Sequence, residues 1–146
     1  MTNERRRARR AALQSLFEVD QAGHDPERSL EYWVSSDGLS HQGLEFASNL
    51  VREVIANKAA IDAIIAEAAP AWPVEQVAST DRVALEIGVY EVCIERAVPI
   101  EVAINEAVEL AKTFGGENSA AFVNGVLRGI AERQSTNNHA TATAGA

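Results

Sequence analysis

The 146-residue sequence is 47% hydrophobic and 5% aromatic, which suits one domain with a substantial apolar core and excludes a chain too polar to fold. Thirteen Lys and Arg against 21 Asp and Glu give a formal net charge of −8, but residues 1–10 carry +4 and residues 11–146 carry −12. A basic head on an acidic body can engage two unlike partners, because partners respond to local potential rather than to the mean.

Residues 4–21 read as a helix, with Arg9, Leu13, Leu16, Phe17 and Asp20 on one side at spacings of three and four. The stretch 22–26 stops it, and Asp25 then caps a short helix with Pro26 at its first position and Leu30, Trp33 and Val34 turned inward. After a polar break at 35–43, Leu44, Ala47, Leu50, Val51, Val54, Ile55, Ile61, Ile64 and Ile65 predict one long amphipathic helix over about 42–68. Pro70 and Pro73 interrupt the chain and mark the boundary between two sub-bundles. A short helical turn is expected around 74–78, followed by a helix to about 95 that is capped by Ser79 or Thr80 and is apolar on more than one side, so it should be central. Pro99 opens the next helix, which runs to Gly115-Gly116, and Asn118 or Ser119 caps a last one in which Gly125 is expected to permit close packing. From about 134 the chain is polar and small, the composition of a disordered tail. No strand alternation and no fixed repeat occur, so the expected architecture is all-α, about seven helices in two small bundles over about 4–68 and 74–133.

Catalysis finds little support. His24, His41 and His139 lack metal-ligand spacing, and Cys93 sits in an apolar helix with no basic neighbour to activate it, where it reads as a small buried hydrophobe. Glu101, Glu106 and Glu109 read as a solvated helix face. Gly115-Gly116 lacks the flanking strand and the Lys-Ser or Lys-Thr of a phosphate loop. A single cysteine excludes an intramolecular disulfide, and no apolar run approaches the ~18 residues of a membrane span, so the expectation is a cytoplasmic protein with no metal and no cofactor.

Two segments carry the parts of an anion- and base-binding site. Arg5, Arg6, Arg7, Arg9 and Arg10 offer forked donors that match phosphate oxygens and planes that stack on bases. Residues 112–119 combine Lys112, Phe114, Gly115, Asn118 and Ser119: a cation, an aromatic, a glycine turn and a helix start. The plainer alternatives are an arm folded onto the acidic body and a Phe114 that belongs to the core.

The stretches Ile104 to Gly115 and Phe122 to Leu127 resemble the NusB family of transcription antitermination factors, and Arg5 to Phe17 and Asp81-Arg82 through Tyr90-Glu91 match it in order and spacing. The resemblance spans most of residues 4–131. It implies seven helices in two bundles and a non-enzymatic protein that pairs with NusE, a small-ribosomal-subunit protein. Together they would bind boxA RNA in nascent ribosomal RNA transcripts and, with RNA polymerase and other Nus factors, suppress premature termination. By position, Arg6, Arg7 and Arg9 match the RNA-binding head, and Phe114, Gly115, Asn118 and Ser119 the second RNA-contacting segment. Phe17, Glu75 and Asp81 match the NusE-facing surface. Asn118 stands where many members carry an acid, and Glu86 and Arg128 invert charges common in the family, which suggests that these two face each other as a swapped pair. The resemblance also admits a homodimer that covers the RNA surface, a protein-only scaffold, and kinship with the helical front of ribosomal RNA cytosine methyltransferases.

Overall fold

The computed structural model describes residues 2–68 and 77–144; for residues 2–3, 37 and 136–144 it describes the backbone alone. Among these residues there are seven α-helices and no strand: α1 (Thr2–Ala22), α2 (Pro26–Asp37), α3 (His41–Ala56), α4 (Lys58–Ala68), α5 (Ser79–Val89), α6 (Ile100–Phe114) and α7 (Ser119–Ala144). Helices α1, α2 and α3 pack together as one bundle, and α4, α5, α6 and α7 as the other, with α1 also touching α5 and α6.

Local chemistry explains most of the boundaries. Asp25 takes the extended backbone of an N-cap ahead of Pro26, and Gly38 ends α2 in the left-handed region at φ 65°, a conformation that costs glycine nothing. Ser40 caps α3 by accepting the Gly43 N–H at 3.3 Å. Its own N–H donates to Glu4 at 2.7 Å and its hydroxyl donates to the same carboxylate, so the first turns of α1 are tied to the corner between α2 and α3.

The single helix expected over 42–68 is broken at Asn57, which leaves helical geometry at φ −106°, ψ 13° and donates its side-chain amide to the Glu53 carbonyl at 2.8 Å. A side chain that competes for a backbone acceptor is a physical reason for the break. It also moves the crossing between bundles, for α4 packs on α5 and α7. Ile55, expected in the core stripe, is exposed just before the break.

Helix α5 is buried almost throughout, the central position its composition predicts. It starts at Ser79, with Ala78 rather than Ser79 or Thr80 at the cap. A Cβ on Gly88 would lie 2.7 Å from Leu127 Cδ1 and 3.1 Å from Ala107 Cβ, so this glycine lets α5 close on both α6 and α7. Among the described residues Gly125 has nothing within 4 Å of its would-be Cβ, and it is exposed, contrary to the close-packing role expected for it. Beyond Val89 the helix widens into a π-helical turn, Tyr90–Glu95, closed by Arg96 in the left-handed region at φ 55°. Helix α7 continues to Ala144, through residues that composition assigns to a tail; no Gly or Pro lies between Gly129 and Gly145 to stop it. Residues 69–76, which include the expected helical turn and Glu75, lie outside the described residues.

Candidate nucleic-acid interface

The arginine head occupies the first three turns of α1, and its members do not share one fate. Arg5 is exposed, with its guanidinium 5.1 Å from the centroid of Phe46 on α3. Arg6, whose side chain is 39% exposed, forks onto Glu106 of α6 at 2.8 and 3.2 Å. That interaction raises the Arg6 pKa further, first through the hydrogen bond and then through the charges of Glu106 and Glu109. Arg7 and Arg10 are half-buried.

Arg9 is different in kind. It is 3% exposed, donates to both oxygens of Glu91 at 2.8 and 2.9 Å, and reaches Glu106 at 3.4 Å, while Phe46 covers its face at 5.1 Å. Glu91, at 2% exposure, stands in the π-helical turn. Arg9 is therefore enclosed between α1, α3, α6 and that turn, and the accessible head consists of Arg5, Arg6, Arg7 and Arg10. Glu106, read from sequence as part of a solvated acidic face, is buried as its counterion. Burying such charges is tolerable only because each is paired and hydrogen-bonded.

The second segment follows the C-terminal end of α6. Lys112 is exposed and lies 3.5 Å from Glu109, the same carboxylate whose charge acts on Arg6, so both basic segments border one acidic stripe of α6. Phe114 is half-buried and packed against the core, between the platform and core readings. Asn118 is exposed at the turn. Ser119 is buried and its Oγ accepts the Gly116 N–H at 2.8 Å, which shapes the turn. A Cβ on Gly115 would overlap Ser119 Oγ and lie 2.7 Å from the Ala111 carbonyl oxygen, so only glycine fits there.

Of the residues matched to a protein-facing surface, Phe17 and Asp81 lie toward the other end of α1, and Glu75 is outside the described residues. Phe17 is half-buried, and Asp81, in the first turn of α5, is buried with its Oδ1 unpartnered among the described residues. Asp20 pairs with Arg82, and Gln21 donates to Ser79 at 2.9 Å, which fixes the end of α1 against the start of α5. Arg6 and Phe17 are eleven positions apart on one helix, about 16 Å along its axis.

Glu86 and Arg128 do not meet as a swapped pair. Glu86 binds Lys58 of α4 at 2.7 Å, and Arg128 forks onto Glu101 of α6 at 3.0 and 3.1 Å. Among the described residues no group of three or more His, Cys, Asp and Glu could hold a metal, and no helix is long and apolar enough to cross a membrane. Cys93 is half-buried, and burial pushes its thiol pKa up.

Comparison with known proteins gives this geometry a relation. Residues 6–132 match the model of the NusB family. The chain is 44% identical over 132 residues to the transcription antitermination protein NusB of Dehalococcoides mccartyi (strain CBDB1), covering 90% of this chain and 92% of that one. It superposes on NusB of T. maritima with a TM-score of 0.80 at 36% identity, covering 88% of this chain and 90% of the other. A crystal structure of antitermination factors NusB and NusE in complex with dsRNA matches with a TM-score of 0.82 at 26% identity, covering 91% of this chain and 99% of that one. The chain belongs to the NusB family.

Proposed function

We propose that this protein is a transcription antitermination factor that pairs with NusE, binds boxA RNA of nascent ribosomal RNA transcripts, and helps RNA polymerase, with other Nus factors, to avoid premature termination. The observation that carries the reading is the placement of two basic segments beside one face of α6: Arg6 is joined to it through Glu106, and Lys112 lies against Glu109. The complex of related NusB and NusE proteins with dsRNA supports the same direction. Arg5, Arg6, Arg7 and Arg10 bind phosphate in this reading, Phe114, Gly115 and Asn118 offer the second RNA-facing segment, and Arg9 and Ser119 serve from behind, one as a buried counterion and one as a turn former. Phe17, Glu75 and Asp81 belong to the NusE-facing surface, where an acidic body suits a basic ribosomal protein.

The test is an equilibrium titration of boxA-type RNA at several salt concentrations, with and without NusE. The parent should bind more tightly with NusE, and changing Arg5, Arg6 and Arg10 together to Ala should weaken binding at least about tenfold. The salt slope should fall by about one unit for each phosphate that the variant no longer neutralises. Equal binding by parent and variant in both settings would remove the head from the RNA site. A homodimer in which a second copy covers the head is the second reading, and sedimentation of the free protein at the titration concentrations decides it.

A further inference from the structure

Glu106 stands at the centre of the arginine head, where a carboxylate beside a phosphate site is electrostatically unfavourable. It is 5% exposed on α6 and receives Arg6 through Nε and Nη2 and Arg9 through Nη1. Arg9 is held in turn by both oxygens of Glu91. The ion pairs form a chain from the interior outward: Glu91 fixes Arg9, Arg9 helps to fix Glu106, and Glu106 fixes Arg6.

What this does to Arg6 follows from donor arithmetic. A guanidinium carries five N–H donors in a planar fork. Glu106 engages the Nε hydrogen and one on Nη2, and among the described residues these bonds leave the two Nη1 hydrogens and the second Nη2 hydrogen uncommitted. They sit on a side chain that is 39% exposed. Two parallel N–H groups on the Nη1 and Nη2 edge match two phosphate oxygens. An arginine without such a backing group would lose its torsional freedom on binding, whereas this one has already lost it in the folded protein.

Resting on the RNA-binding reading of the head, we infer that Glu106 is a positioning residue that presents the free edge of Arg6 to an RNA phosphate, with Arg9 and Glu91 as the buried support. Glu106 touches no RNA itself. Its contribution is the orientation of an arginine that is both paired and accessible.

Field and orientation predict opposite signs, which makes the inference testable. Deleting a negative charge near a polyanion site tightens binding if Glu106 acts only through the field. The probe is a boxA-type RNA oligonucleotide titrated against the full chain, Glu106→Gln, Arg6→Lys and the double variant, with folding checked by circular dichroism. Glu106→Gln should weaken binding by about fivefold, within the range of one hydrogen bond's net worth. Arg6→Lys, which keeps the charge and removes the fork, should weaken it by a similar factor, and the double variant should be no worse than either single change. Tighter or unchanged binding by a folded Glu106→Gln, or parent-like binding by Arg6→Lys, overturns the inference. If Glu106→Gln does not fold, the half-exposed Arg6→Lys decides alone. A parent chain that binds no RNA overturns the functional reading instead, a distinct outcome.

Discussion

Arg9 and Glu91, 82 residues apart in sequence, meet as a two-pronged ion pair inside the protein, at 2.8 and 2.9 Å. Removing one partner of a buried pair leaves the other charge desolvated and unmatched, which typically costs about 3–5 kcal/mol. Arg9→Ala should therefore destabilise the fold by that order in denaturant titration. Arg5→Ala, which removes only an exposed guanidinium from beside Phe46, should cost less than about 1 kcal/mol. A destabilisation below about 1 kcal/mol from Arg9→Ala would contradict the buried pairing.

The sequence contains the signal for Arg9, since it falls four residues before Leu13 on the apolar side of α1 and is flanked by Ala8, Ala11 and Ala12, all buried. What the sequence lacks is any local mark of the partners. Glu91 and Glu106 sit on other elements, and their burial follows from helix packing, not from spacing. The helices themselves were legible because their apolar residues recur with the helical period, and so were the Gly115 turn and the head as a basic cluster. The π-helical turn at Tyr90–Glu95 has no compositional signature, and Asn57 breaks a stripe whose period continues through it. The swapped pair of Glu86 and Arg128 failed because opposite charges identify candidates, while the fold supplied nearer partners in Lys58 and Glu101.

The turn after α6 gives a paired prediction. Gly115→Ala forces a methyl onto the Ser119 side chain and the Ala111 carbonyl oxygen, and the backbone atom cannot step aside. Overpacking of this kind costs about 1–3 kcal/mol. Gly116→Ala meets nothing within 4 Å among the described residues and should be nearly neutral. Thermal unfolding of the two variants separates them, and equal melting temperatures would refute the close approach.

Glu86 supplies a pH dependence. It is 4% exposed, and burial, with the Asp62 carboxyl beside it, pushes its pKa up to about 7 despite the Lys58 ammonium at 2.7 Å. A carboxyl whose folded pKa is raised stabilises the fold fully below its ordinary value of 4.5, and this contribution is lost as pH rises through about 7. Glu86→Gln should therefore flatten the decline in stability between those values, measured by denaturant titration across that range. An unchanged profile would assign the decline to other groups.

Helix α1 carries the two proposed surfaces at separate ends. Phe17→Asp should therefore weaken pairing with NusE at least about tenfold, the scale of truncating a buried aromatic anchor, while RNA binding by the isolated protein stays within about twofold of the parent. Calorimetry with NusE and fluorescence titration with RNA check the two arms. A parallel loss of both would mean that the surfaces are coupled.

The head also occupies the first three turns of a 21-residue helix, and Arg5 lies in the first of them, where backbone N–H groups without an intrahelical partner give the macrodipole its positive pole. Side-chain charge and backbone dipole thus carry the same sign at this end, a placement that opposes helix formation, and Glu4 is the single acid in the first turn to offset it. Folding and anion capture are consequently linked equilibria: a polyanion seated on this end relieves the conflict and should raise the melting temperature by mass action.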